Sequence, residues 1–436
     1  MSGKFIKIAD ITSKKFCAAP FVASMLDTTQ HFRVCCENEI QQLESTGLTN
    51  YKEQIWESEW IQKIRSDMIN GNHVDGCEGC YNQEEKGSAS DRMFYNNEFI
   101  KEDTMFSIET GTDLGKPLSY DLRADALCNL KCVMCGPSSS SQILKEENIN
   151  LDILSFSQFM PINKHFLKHD GHVPVDDKIY DEIFNYLVST PNVDLKLLGG
   201  EPSLISYYIK LLTEMTKVDM PRGRLHITSN LTNINKNLID LMLNWKGTVE
   251  INASIDGMEN VAEWIRYPIN WSLWERNFET LRKLNILVIP HVVVQLFNVY
   301  QLPQFTKWFL DRGVVPHFTI AYEKVGTIVD IKRIPLKDRL RIADQLEEVT
   351  VDLKKDDRIN SKLPTVTGAL RDPEEFLSVS QSIHLTDFIV KKDIMRGLHI
   401  KDYIPEIYNL IKTRYDFVKD AIIEHRENLK NEQRTI

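Results

Sequence analysis

No apolar stretch in this 436-residue chain is long enough to cross a bilayer, and its first residues, Met1-Ser-Gly-Lys-Phe-Ile-Lys, have no apolar signal core. Both absences point to a reducing, cytoplasmic setting, where clustered cysteines usually mean metal or catalysis rather than disulfides. The chain also lacks a basic excess. Its net charge of −10 argues against sequence-independent binding to nucleic acid, though not against a locally basic groove. No internal repeat or low-complexity tract is evident. No cysteine lies beyond residue 330, so no metal cluster can be built there from thiolates. What remains is an ordinary globular composition, 42% hydrophobic and 26% charged, in a chain too long for one ordinary domain.

Against that background, three cysteines stand out. Cys128, Cys132 and Cys135 form C-x3-C-x2-C within Asp121-Leu-Arg-Ala-Asp-Ala-Leu-Cys-Asn-Leu-Lys-Cys-Val-Met-Cys-Gly. Three thiolates in one loop can hold three irons of a cubane cluster and leave the fourth open for a ligand. A zinc site normally wants a fourth Cys or His, and the nearest downstream histidine, His165, is far away.

From about residue 119 strand-like and helix-like segments alternate. Candidate strands are Ser119 to Asp125, Asp194 to Gly199, Arg224 to Ser229, Thr248 to Ile255, Val288 to Gln295 and His317 to Tyr322. Six β-α units imply a parallel sheet. The expected fold is therefore α/β, a partial (β/α)6 TIM-like barrel over residues 113–328. A cysteine-rich module, 1–112, precedes it and a helical region, 329–436, follows. Several strands alternate polar and apolar residues, such as Asp121, Arg123 and Asp125 against Leu122 and Ala124, or His226, Thr228 and Asn230 against Leu225 and Ile227. One face should meet helices while the other lines a polar lumen, with its site at the C-terminal ends of the strands. The cysteine loop follows the first strand, as that requires. Asp121, Arg123, His226 and Asp256 are candidate acid–base or substrate residues.

Taken with Gly199-Gly-Glu-Pro202 after the second strand, the three-cysteine motif resembles the signature of the radical S-adenosylmethionine (radical SAM) superfamily. The resemblance implies a [4Fe–4S] cluster whose open iron chelates SAM. It also implies one-electron cleavage to a 5′-deoxyadenosyl radical and an external reductant of flavodoxin or ferredoxin type. Gly199, Gly200 and Glu201 match the motif contacting the SAM amino group. Thr228, Asn230, Ser254 and Asp256 match positions near its ribose or methionine part, and Arg266 an arginine near its carboxylate. If Asp256 serves SAM, it is not free for acid–base work. Met134 stands where the family commonly has an aromatic residue near the adenine.

The other cysteines, Cys17, Cys35, Cys36, Cys77 and Cys80, precede the barrel. Phe21 to Cys36 reads as a hairpin, and Cys77-Glu-Gly-Cys80 is C-x2-C. Four thiolates from this set suit structural zinc or a second [4Fe–4S] cluster equally well on spacing. The layout resembles the auxiliary-cluster module of the SPASM/twitch subgroup, which favours iron–sulfur. That module usually has glycine in the hairpin turn, where this chain has Gln30. Counting from the turn favours Cys35, while strand alternation puts Cys36 with Phe32 and Val34, so both stay open. Beyond residue 330, helices are expected over Ile334 to Lys355, Asp372 to Val390 and Ile404 to Leu429, as a cap or as a gating or docking element. The expected activity is hydrogen abstraction from a small polar or peptide substrate, the cysteine module leaving no obvious leader-peptide domain. The alternative is a non-catalytic iron–sulfur or zinc metalloprotein serving electron transfer or scaffolding.

Overall fold

Strands form where apolar residues recur at every second position, because successive side chains then fall on opposite faces of a pleated ribbon. In the computed structural model all six expected strands form. The described residues are 5–29, 31–38, 40–45, 47–85, 87–101, 103–112, 115–154, 177–321, 327–375 and 379–434. Gln30, His165, Tyr322 and the domain boundary at residue 113 lie outside them. The strands are β1 (Phe5–Lys7), β2 (Ala23–Leu26), β3 (His31–Arg33), β4 (Gln42–Glu44), β5 (Met105–Ser107), β6 (Ser119–Leu122), β7 (Asp194–Leu197), β8 (Leu225–Ser229), β9 (Val249–Ser254), β10 (Leu287–Val294) and β11 (His317–Ile320). The fold is α/β, mostly parallel strands alternating with helices, with a β-rich N-terminal region and a helical C-terminal one. No helix among the described residues is long and apolar enough to cross a membrane.

The chain forms two compact units. The first comprises Met1–Leu127, His172–Ala253 and Thr280–Val288. Its sheet runs β9-β8-β7-β6-β2-β3-β4, parallel from β9 to β2 and antiparallel beyond. Leu195, Leu197, Leu225, Ile227, Ile251 and Ala253 are buried on one face. On the other, register aligns Asp121 with Lys196, Lys196 with His226, and His226 with Glu250. Paired residues of parallel strands share a face, so these four make one polar row.

The hairpin expected over Phe21 to Cys36 is shorter. Pro20 starts a helical turn, Ala19–Val22, and the first strand begins only at Ala23. The second ends at Arg33, so strand alternation does not extend to Cys36. β2 also pairs in parallel with β6, which makes the hairpin an extension of the sheet. Beneath it Phe16, Phe21 and Phe106 pack with ring centroids 4.9–5.5 Å apart. The buried Arg65 donates to the carbonyls of Pro20, Ile108 and Glu109.

The second unit comprises Cys128–Gly171, Ser254–Glu279 and Ile289–Ile436. Here β10 and β11 pair in parallel, and Trp271, Trp274, Phe278, Trp308 and Phe309 form an aromatic core. The C-terminal helices are Leu336–Val349, Lys355–Asn360, Leu363–Arg371, Val379–Arg396, Ile400–Tyr403 and Pro405–Arg434.

Candidate functional site

The three-cysteine loop is anchored by its apolar residues. Leu130 and Val133 are buried, which leaves Cys128 and Cys135 half-buried around a buried Cys132. Backbone bonds fix its path: Lys131 N–H donates to Tyr267 O at 2.6 Å, Val133 N–H to Ile265 O at 2.8 Å, and Cys135 N–H to Cys132 O at 3.1 Å. Ser140 caps the following helix, Ser141–Ile149, and its hydroxyl donates to Leu130 O at 2.6 Å. None of the eight cysteines is in a disulfide.

The thiols of this loop are electrostatically linked. A hydrogen bond from Cys135 pulls the Cys132 pKa down, with further help from Arg266, and Cys135 as donor is pushed up. Arg266 directs Nη1 at Cys132 Sγ, 3.9 Å away, and its Nε lies 2.7 Å from Asp256 Oδ2. Asp256, fully buried, also accepts from Val293 N–H at 2.7 Å, and burial raises its pKa. Two residues expected near SAM thus form an ion pair beside the Cys132 sulfur. A guanidinium beside a sulfur favours thiolate, the form a metal centre needs, so this donor set fits a cluster. Met134 and Ser254 are half-buried in the same unit.

In the first unit, the two glycines serve a close approach of backbone to backbone. Gly199 has φ +112°, and a Cβ there would sit 2.5 Å from Asp125 O. A Cβ on Gly200 would sit 2.1 Å from Leu127 O. Gly200 N–H donates to Asp125 O and Glu201 N–H to Leu127 O, both at 2.8 Å, so the motif is laced to the residues just before Cys128. Glu201 is buried. Its Oε1 accepts from Ser203 N–H, Ser203 Oγ and Ser229 Oγ, and its Oε2 from Asn230 N–H at 2.8 Å. Most of the acceptor capacity expected to meet an ammonium is spent joining the end of β7 to that of β8. Asn230 Oδ1 accepts from Thr232 N–H and Oγ1, while Thr228 is half-buried.

The polar row carries two of the expected catalytic candidates directly and the third beside them. Arg123 Nε lies 3.2 Å from Asp121 Oδ1, and His226 Nδ1 lies 3.1 Å from Glu250 Oε1. His226 Nε2 is buried with no partner among the described residues. A carboxylate on one ring nitrogen orients the imidazole and frees the other for proton transfer. Lys196 was not among the sequence candidates, although Asp194-Leu-Lys-Leu shows the same alternation. Burial works against its charge, but Cys36, Asp91 and Asp121 outweigh that and hold it protonated.

The N-terminal cysteines separate into two environments. Cys17 has Cys80 and Cys77 as electrostatic neighbours, and Cys35 has Cys17 and Cys80. Burial raises all four thiols, Cys80 to about 11. Cys17 sits in an apolar cluster with Phe16, Val34 and Tyr95, and Cys35 and Cys77 pack against it, while Cys80 is buried nearby in the chain's N-terminal region. Cys36 instead donates to Asp91 Oδ2 at 2.8 Å and neighbours Lys196 and Asp121. Cys17, Cys35, Cys77 and Cys80 are thus electrostatic neighbours, and four buried or half-buried thiols suit a thiolate-bound metal centre, since the metal supplies the positive charge that burial withholds.

Residues 126–300 match the family model described as Radical SAM superfamily, a segment covering less than half of the chain. The match supports that superfamily for this segment. No curated protein matches the chain. Among solved structures the chain is similar to "Native anSMEcpe with bound AdoMet", at 16% identity and TM-score 0.36, covering 53% of this chain and 59% of that one. It is also similar to SuiB of Streptococcus suis bound to S-adenosylmethionine, at 14% identity and TM-score 0.31, covering 54% and 45%. The chain thus spans less than two thirds of either structure's length.

Proposed function

We propose that this protein is a radical SAM enzyme acting on a small polar substrate. Cys128, Cys132 and Cys135 would hold three irons of a [4Fe–4S] cluster, leaving the fourth for SAM. The observation that carries the reading is the linked thiol set of this loop, with Arg266 and Asp256 behind Cys132, inside the segment that matches the family model. When bound, cluster and SAM supply a 5′-deoxyadenosyl radical that abstracts hydrogen. The chain's own residues do the rest. Arg266 favours thiolate at Cys132. Gly199 to Glu201 brace the strand end that precedes the loop. Asp121, Lys196, His226 and Glu250 offer charged groups to a polar substrate, with His226 Nε2 placed to take or give a proton.

In this reading Cys17, Cys35, Cys77 and Cys80 hold an auxiliary cluster of the SPASM/twitch kind. Residues 1–112 carry that module, 113–328 the SAM chemistry and 329–436 a helical extension. A cytoplasmic setting and a flavodoxin- or ferredoxin-type reductant complete the proposal.

The test is anaerobic reconstitution, assay of iron, sulfide and zinc, then incubation with SAM and dithionite. About eight irons with 5′-deoxyadenosine formed supports two cubane clusters and radical chemistry. About four irons plus one zinc keeps the radical enzyme and makes the N-terminal site structural. Full loading with no SAM-induced spectral change and no deoxyadenosine favours the non-catalytic metalloprotein.

A further inference from the structure

The helix Val379–Arg396 ends on the cysteine loop of its own unit. Arg396 is buried and divides its donors between two partners. Its Nε lies 3.2 Å from Glu146 Oε1 and its Nη2 3.2 Å from Glu146 Oε2. The same Nη2 donates at 2.6 Å to the carbonyl of Lys131, the residue before Cys132. Because the Lys131 N–H is already held by Tyr267 O, this residue is held at both its N–H and its C=O, which fixes the peptide group on either side of it. The Tyr267 ring lies beneath both cations, 5.5 Å from the Arg396 guanidinium carbon and 5.7 Å from Lys131 Nζ.

The helix that delivers Arg396 is itself pinned. Asp393, one turn earlier, accepts from Trp264 Nε1 at 2.9 Å, Ile400 N–H at 2.8 Å and Tyr415 OH at 2.6 Å. Three cations, Lys131, Lys392 and Arg396, surround Glu146, with the half-buried Glu147 beside Lys392. Arg266 adds another cation at Cys132 itself.

We infer that Arg396 is a positioning residue for the Cys128–Cys132–Cys135 loop, fixing the Lys131 peptide so that Cys132 presents its sulfur and lending positive charge that favours the reduced cluster. The inference rests on the proposed reading that this loop holds the cluster. A thiolate-bound cluster gains one negative charge when an external donor reduces it, so a nearby cation raises its potential. A bond that holds the ligand peptide also slows release of iron. On this account the C-terminal helices belong to the cluster site.

The test compares full-length Arg396→Met and Arg396→Lys with the parent chain, each anaerobically reconstituted and checked for fold by circular dichroism. The signal followed is the electron paramagnetic resonance of the reduced cluster that changes on adding SAM, titrated with dithionite. Arg396→Met should shift its midpoint to more negative potential and speed iron loss to a chelator by about tenfold. Arg396→Lys should recover most of the potential but not the slow iron loss, because one ammonium cannot span both Glu146 and the Lys131 carbonyl. Glu146→Gln gives the sign test: removing a negative charge should shift the midpoint the opposite way, which general loosening would not do. Unchanged midpoint and iron loss in a folded Arg396→Met chain, or shifts of the same sign in Arg396→Met and Glu146→Gln, overturn the inference. Parent protein with no SAM-sensitive signal, or a Cys128→Ala chain retaining its full iron, overturns the cluster reading itself.

Discussion

The two cysteine groups differ less in burial than in what surrounds them. In the C-x3-C-x2-C loop, Cys132 is pulled toward thiolate by its neighbour Cys135 and by Arg266. In the N-terminal group, burial leads every shift and pushes Cys17, Cys35, Cys77 and Cys80 upward. A low-dielectric wall resists added charge, whereas guanidinium groups welcome it. In the proposed reading the difference teaches which centre suits a changing charge: the loop, where Arg266 faces Cys132, would gain and lose an electron, and the N-terminal group would stay put.

The largest expected effect tests that division. Cys128→Ala should abolish 5′-deoxyadenosine formation and remove about four irons, while Cys77→Ala should lower metal content and melting temperature yet leave SAM cleavage in the folded fraction. Deoxyadenosine assay beside metal analysis reads both. If Cys77→Ala also ends SAM cleavage while the loop cluster stays loaded, the division is wrong.

Next is the ion pair behind the loop. Asp256→Ala leaves the buried Arg266 charge unpaired, a change that typically costs about 3–5 kcal/mol. Urea unfolding of the apo chain should show it as a lower midpoint with an unchanged slope. The double variant Asp256→Ala/Arg266→Met should recover much of the loss.

Two buried carboxylates carry the same contrast into pH dependence. At Glu146, burial raises the pKa, but Arg396, Lys392 and Lys131 outweigh it and hold the group below its ordinary value. Its stabilisation is therefore present above the unfolded carboxylate range and lost as pH falls through the lowered folded value. Glu201 is raised by burial, against hydrogen bonds from Asn230, Ser203 and Ser229. Its contribution is present below the unfolded value and lost as pH rises through the raised one. Unfolding series from about pH 3.5 to about pH 7 should show the parent-minus-variant difference shrinking toward acid for Glu146→Gln and toward neutrality for Glu201→Gln. Slopes of one sign for both would break the contrast.

What was legible in the sequence was local. The succession of strand-like and helix-like segments revealed all six expected strands, and spacing revealed the cysteine loop, because both are short-range patterns. Register was not legible. That Asp121, Lys196, His226 and Glu250 share one row depends on how strands up to 129 residues apart align, so Lys196 and Glu250 went unnoticed. Arg396 reaches Lys131 across 265 residues, and no local pattern marks it. The helix Leu363–Arg371 was missed because Pro364 and Gly368 look like breakers, although the proline sits in the first turn, where it is tolerated.

The smallest expected effect decides which thiols belong to the second centre. The sequence left both Cys35 and Cys36 open, because the hairpin count favoured Cys35 while strand alternation grouped Cys36 with Phe32 and Val34. With β3 ending at Arg33, alternation no longer applies, and the surroundings of each sulfur discriminate instead. Cys35 neighbours Cys17 and Cys80, while Cys36 donates to Asp91 beside Lys196. Cys36→Ala should therefore keep full metal content and cost about 1 kcal/mol for the lost hydrogen bond. Cys35→Ala should lose the N-terminal metal. Metal analysis of the two purified variants separates them. Loss of metal in Cys36→Ala alone would reverse the assignment and make Cys36, with Glu37 and Asp91 within 4.8 Å, the ligand-bearing side of the pair.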